Sequence, residues 1–170
     1  KNNYSSNLIL YRTNAQSRQI EEALMIKNIP YRVVGGLKFY DRKEIKDILA
    51  YLRIIHNPLD VVNTKRIINT PPRKIWARTI EIIDTYKENF EISYPQIIEH
   101  IDEVEELRWG AKESIKTFEN IIKSLTSESK NKEVSELISE ITKLTKYEEY
   151  ITEWSTVEES QAKKDNIDEL

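Results

Sequence analysis

The chain has 170 residues, 39% hydrophobic and 32% charged, with no cysteine, which suits one core with an appendage and excludes disulfides and thiolate metal sites. No apolar run approaches the roughly 20 residues of a membrane-spanning helix, Lys1-Asn2-Asn3-Tyr4 lacks the core of a signal peptide, and a start without methionine reads as a piece of something longer; the absence of cysteine fits a reducing compartment, and the expected location is cytoplasmic. The net charge of −3 hides a division: residues 1–80 carry 15 Lys and Arg against 6 Asp and Glu, net +9, and residues 81–170 carry 11 against 23, net −12, so the first half attracts a polyanion that the second repels.

Leu8-Ile9-Leu10-Tyr11 has the apolar run of a buried strand. Thr13 or Asn14 can cap a helix whose stripe is Ile20, Ala23, Leu24 and Ile26, ending near Asn28. Pro30 closes a turn into a second strand at Tyr31-Arg32-Val33-Val34, followed by Gly35-Gly36. Strand, helix, strand is a βαβ unit. Two strands cannot form a stable parallel sheet alone, so this reads as a truncated α/β piece that docks on further strands.

Asp41 and Glu44 have the spacing of a capping box. The helix they open has the stripe Ile45, Ile48, Leu49, Leu52 and Ile55 and stops near Asn57-Pro58. Asp60 caps a short helix through Ile67-Ile68, and Thr70-Pro71-Pro72-Arg73 must be extended or turned. Helices follow: Ala77 to Phe90; one opened by Pro95 and running through Leu107 to a break at Gly110; one marked by Ile115, Phe118, Ile122 and Leu125; a loop from Thr126 to Lys132; and one from Val134 to Leu144. Tyr147 to Leu170 is a weakly apolar helix with Tyr150, Ile151, Trp154 and Val157 on one face. The expected fold is mainly α, a helical bundle attached to a truncated strand-helix-strand piece.

Catalytic signatures are lacking. There is no glycine-rich phosphate loop with its lysine, no acid pair after an apolar strand and no Ser-His pair; His56 and His100 are too few for most metal clusters, and Gly35-Gly36 is a turn signal. The positive signal is cations interleaved with aromatics. Lys38, Phe39, Tyr40, Arg42, Lys43 and Lys46 surround one helix start; Lys65, Arg66, Arg73, Lys74, Trp76 and Arg78 surround the double-proline turn and the next. Cations beside free helix N-terminal amides suit phosphate oxygens, and Trp76 or Phe39 serves either as a stacking face or as core.

Longer strings go further. Tyr11 to Arg18 (YRTNAQSR), Val34 to Asp47 (VGGLKFYDRKEIKD), Tyr51-Leu52-Arg53, Asn57-Pro58 and Arg66 to Pro71 (RIINTP) resemble, in order and spacing, the UvrD/PcrA/Rep group of superfamily 1 DNA helicases, and Asn166 to Leu170 (NIDEL) resembles the close of the same region. The resemblance implies that residues 1–45 begin the second RecA-like motor domain, 2A, and that 46–170 form its inserted helical accessory domain, 2B. It implies a parent that hydrolyses ATP with Mg²⁺ and unwinds DNA in the 3′-to-5′ sense in repair or replication, with no cofactor, ATPase or catalytic residue in this piece. Arg12, Asn14, Arg18 and Arg42 match motor-domain motifs, for fold support or strand contact.

In that family a loop reading Arg-Gly-Ile-Gly, then Thr and an aliphatic residue, grips duplex DNA ahead of the fork. The matching residues are Arg73-Lys74-Ile75-Trp76 with Thr79-Ile80, so Arg73, Lys74 and Thr79, with Lys46 second to them, are the expected contacts to duplex or forked DNA. Both glycines are replaced, and Trp76 would hinder close backbone approach to phosphate. The alternative expectation is a regulatory module whose acidic helices bind a protein partner or the parent's own motor domains.

Overall fold

A computed structural model describes residues 4–13, 15–34 and 36–170; the cap expected of Asn14 and the turn at Gly35 lie outside them. The chain is mainly α-helical. After a 3₁₀ turn at Tyr4–Ser6 come α1 (Ser17–Ile26), a 3₁₀ turn at Phe39–Asp41, α2 (Lys43–His56), α3 (Val61–Ile67), α4 (Ala77–Phe90), α5 (Tyr94–Glu99), a 3₁₀ turn at Ile101–Glu103, α6 (Trp109–Glu128), α7 (Val134–Thr145), α8 (Tyr147–Glu153) and α9 (Val157–Glu169).

The chain divides into two compact units, residues 1–46 with 151–170, and residues 47–150. Residues 151–170, which the expected accessory domain over 46–170 includes, belong to the first of these compact units. The joining contacts are specific. Arg42, itself buried, donates from Nη1 to Asn166 Oδ1 at 2.6 Å and from Nη2 to Ser17 Oγ at 3.1 Å, and Asn166 Nδ2 donates to Glu44 Oε1 at 2.7 Å.

In this first unit the expected strands are absent: among the described residues no strand forms, and residues 8–11 and 31–33 carry no regular secondary structure. A parallel strand needs hydrogen-bonding neighbours on the same sheet, and among the described residues these segments have none. Leu8, Leu10 and Val34 consequently remain 78%, 84% and 75% exposed. Helix α1 buries Ser17 and Glu21, leaving its apolar stripe half-buried at Ile20 and Leu24 and exposed at Ile26. Glu21 accepts from the Phe39 amide at 3.1 Å and the Tyr31 hydroxyl at 3.1 Å. The α1 entry is organised by Gln16, whose Oε1 accepts from the amides of Arg12 and Thr13.

Asp41 and Glu44 form no capping box. Asp41 takes Lys46 Nζ at 2.8 Å, a hydrogen bond that holds its carboxyl below the usual range, and Glu44 turns to Asn166. Helix α9 does start with a reciprocal box: Glu159 N donates to Thr156 Oγ1 and Thr156 N to Glu159 Oε2, both at 3.2 Å. That cap, after Ser155, splits the expected single C-terminal helix in two and leaves Trp154 and Val157 exposed.

The second unit holds the larger apolar core. Its fully buried members include Ile48, Tyr51, Ile67, Ile68, Ile83, Tyr94, Ile97, Ile101, Ile115, Phe118 and Tyr147. On α2 the buried face runs through Tyr51 and Ile54, and Leu49 and Leu52 are half-buried. Asp60 caps α3 as expected, accepting from Asn63 N at 3.0 Å. Gly110 sits in the first turn of α6, so the break falls before Trp109, and α6 runs on through Glu128. Asp47, 1% exposed, accepts from Arg66 Nε at 2.8 Å and from the Tyr147 hydroxyl at 2.7 Å, tying α2, α3 and α8 together within the unit.

Candidate nucleic-acid interface

The double-proline turn is built from within. Asn69 Oδ1 accepts from the amides of Arg73 at 2.7 Å and Ile75 at 3.2 Å, folding residues 69–75 around one side-chain oxygen. Tyr51 stands beneath, its hydroxyl donating to Thr70 O at 2.7 Å and accepting from Arg73 Nη2 at 2.7 Å. Burial pushes that phenol up to about 12, against the pull of the nearby guanidinium. The Thr70-Pro71 peptide is cis.

Side chains then alternate. Arg73 turns inward, its Nη1 donating to the carbonyls of Ile67 at 2.9 Å, Pro71 at 3.1 Å and Ile68 at 3.3 Å, with the guanidinium carbon 5.5 Å from the Phe118 ring centre. Lys74 turns outward and is exposed, on a backbone at φ 62°. Ile75 is buried again at 2%, and Trp76 is exposed at 68%. The side chains of residues 73–76 thus alternate between inside and outside, with Lys74 carried on a left-handed turn of the backbone.

Trp76 is also the N-cap of α4 and supplies no capping hydrogen bond. The amides of Thr79 and Ile80 return to Trp76 O at 2.9 and 3.3 Å, so the first amides, of Ala77 and Arg78, face outward at the positive end of the helix dipole. Thr79 itself is 7% exposed.

Arg73, Lys74 and Thr79 are therefore neighbours on one loop and helix start, and Lys46 belongs to the other unit. Of the three, Lys74 alone presents its charge outward; Arg73 is spent on carbonyls and Thr79 on the inner face of α4. Much of the remaining basic signal is likewise paired within the chain. Lys65 pairs with Asp84 at 2.7 Å over the Tyr94 ring, Arg66 pairs with Asp47, and Arg78 pairs with Glu81 at 3.2 Å. In the first unit Lys38 lies over the Tyr31 ring, and Arg18 over Phe39 while pairing with Glu22. A charge count registers none of these partners.

Tyr51 and Asn69, the two residues that set the loop, stand in the strings shared with the helicases, but no role in the loop was expected of them. The available signal was a polar-tipped aromatic among the aliphatics of α2 and an asparagine four residues before Arg73; both suit hydrogen-bonding to backbone.

Comparison with known proteins supplies a family. A family profile described as the UvrD-like helicase C-terminal domain matches residues 1–170. The chain is 42% identical over 167 residues to the ATP-dependent DNA helicase PcrA of Staphylococcus epidermidis, covering 98% of this chain and 23% of the relative. It is 41% identical over 170 residues to that of Bacillus subtilis, covering 100% and 23%. It is 40% identical over 167 residues to that of Staphylococcus aureus, covering 98% and 23%. The chain thus spans about a quarter of the length of these curated relatives. Matched along its whole length, the chain belongs to the UvrD-like helicase C-terminal domain family.

Proposed function

We propose that this chain is part of a cytoplasmic, ATP-dependent DNA helicase moving 3′ to 5′ in repair or replication, with residues 47–150 contributing duplex contact ahead of the fork and regulation of unwinding. ATP and Mg²⁺ are assigned to parts of the parent outside these 170 residues, so the chain alone has no ATPase activity. The observation that carries the reading is Lys74, an exposed cation held in a glycine-like backbone conformation two residues before the uncapped start of α4 at Trp76. A cation beside outward amides at a helix N-terminus is what a phosphate oxygen requires. In this scheme Lys74 is the direct contact, Arg73 and Thr79 hold the loop and helix in place, and Lys46 is a secondary contact from the other unit.

The test is titration of the chain with forked duplex DNA at a series of salt concentrations. Affinity should fall with salt, and Lys74→Ala should flatten the log–log slope by about 1. Wild type and Lys74→Ala binding alike would refute the contact.

A second reading, a module that binds a protein partner, has its own support in a groove lined by Arg78, Tyr86, Phe90, Glu103, Glu105 and Glu106, where the two rings lie tilted at 33° with centres 4.4 Å apart. Aromatic faces rimmed with carboxylates suit a cationic partner. A pull-down in which Glu103, Glu105 and Glu106 are all changed to Gln should lose that partner; retention of every partner would remove this reading.

A further inference from the structure

Close packing leaves few voids between helices, yet a cavity of about 380 Å³ opens among α2, α3, α5 and α6, wholly within residues 47–150. Its floor is apolar: Ile54, Tyr94, Ile98 and Phe118 are buried, and Pro95 and Ile122 are half-buried at the sides. A hollow of this size forfeits contacts that larger side chains would restore, and its volume lies in the range of ligand sites.

The polar groups of the lining divide into those engaged and those left free. The Tyr94 hydroxyl donates to Asp84 Oδ1 at 2.7 Å, the Thr64 hydroxyl donates to Asp60 O at 2.8 Å, and Glu119 holds Lys123 at 2.7 Å. Thr126, Ser127 and Lys130 line the cavity from the last turn of α6 and the turn after it, and their side chains have no hydrogen-bonding or ionic partner among the described residues. The carbonyls of Leu125, Thr126 and Glu128 around them are taken by Ser129 and Asn131. The side-chain groups left free are therefore two hydroxyls and an ammonium. Donors gathered at one edge of an apolar hollow suit a ligand with an acceptor head on an apolar body. With Glu119 and Lys123 neutralising each other, the charge that remains is that of Lys130, which selects an anionic head.

Size and surroundings fix the class of ligand. At about 30 Å³ per water-sized group, the cavity holds roughly a dozen non-hydrogen atoms. A protein segment of many carboxylates is disfavoured, because residues 81–170 carry 11 basic against 23 acidic residues and repel it, whereas a single carboxylate meets a single lysine. We propose that this cavity binds a small monocarboxylate with an aromatic or branched aliphatic body, the body on Ile98, Phe118 and Ile122 and the carboxylate at Thr126, Ser127 and Lys130. The inference is independent of the DNA reading, since Lys46, Arg73, Lys74 and Thr79 take no part in the lining.

The experiment titrates the full 170-residue chain, labelled with nitrogen-15, with sodium 2-naphthoate and follows the backbone amide shifts. Shifts should gather at residues 94–98 and 118–130 and saturate with a Kd of about 1 mM or tighter, the least that a ligand of about 13 non-hydrogen atoms reaches at ordinary efficiency. 2-Naphthylmethylammonium, the same ring with a cation, should bind at least about fivefold more weakly; Lys130→Glu should weaken naphthoate about tenfold and strengthen the ammonium. Ile122→Trp should fill the cavity and abolish binding of both. Lys130 is exposed, so its variant keeps the fold and decides the matter if Ile122→Trp does not fold. Equal binding of the two probes, equal binding of naphthoate by wild type and Lys130→Glu, shifts gathered elsewhere, or no shift at about 10 mM probe overturns the proposal. Tighter binding of a short peptide with Asp beside Phe also overturns it, by making the occupant a protein segment.

Discussion

Replacing Arg73 by alanine separates scaffold from contact. The guanidinium donates to three carbonyls and to the Tyr51 hydroxyl and lies over Phe118. At about 1 kcal/mol net for each well-aligned hydrogen bond, less for the 3.3 Å contact, and about 0.5–1 kcal/mol for the ring, the sum approaches 4 kcal/mol. Arg73 is only partly buried and water will satisfy some of the released carbonyls, so the expected loss is about 3 kcal/mol. With a urea m-value near 2 kcal/mol/M, the midpoint of unfolding followed by far-ultraviolet circular dichroism falls by about 1.5 M. Arg73→Lys recovers little, because an ammonium cannot fork to three carbonyls and a phenol. Lys74→Ala, by contrast, changes stability by less than about 0.5 kcal/mol, a midpoint shift under about 0.25 M, and acts on the salt dependence of DNA binding. An Arg73→Ala protein with the parent's urea midpoint and a salt slope flatter by about 1 would refute this division of labour, showing the guanidinium to work on phosphate.

Lys74→Gly should raise stability by about 0.5–1 kcal/mol by relieving the left-handed backbone, while weakening DNA binding as Lys74→Ala does; an unchanged urea midpoint counts against strain at this position. Asp47→Ala leaves Arg66 and Tyr147 without their buried acceptor and should cost about 3 kcal/mol, seen as a lower thermal midpoint. The Tyr51 phenol titrates higher in the folded chain, about 12, than its ordinary value of 10. Its contribution is therefore complete below pH 10 and declines as pH rises towards 12, so wild-type stability should fall across that window and Tyr51→Phe should fall less steeply, measured as urea midpoints at several alkaline pH values.

The helices were legible where a cap or proline coincided with an apolar period. Asp60 and Pro95 each mark a start that the structure keeps. Boundaries shifted where side chains preferred distant partners: Glu44 has capping-box spacing but is taken by Asn166, far along the chain. The strands at 8–11 and 31–34 follow from composition, yet a ladder depends on neighbours that no local pattern can supply. At the loop, the motif located Arg73, Lys74 and Thr79 but not their orientation. Orientation came from Asn69 and Tyr51, which impose an alternation placing Arg73 and Ile75 inside and Lys74 and Trp76 outside.

The Arg42–Asn166–Glu44 contact has a consequence for the order in which the chain assembles. It joins residues separated by the whole of 47–150, and closing so long a loop costs about 2 kcal/mol more than closing one of ten residues. Collapse of 47–150 onto its own core shortens the effective tether before that contact forms. The larger unit is thus the natural first step, and slowing its folding should delay burial of Arg42 equally, although the two regions have separate cores.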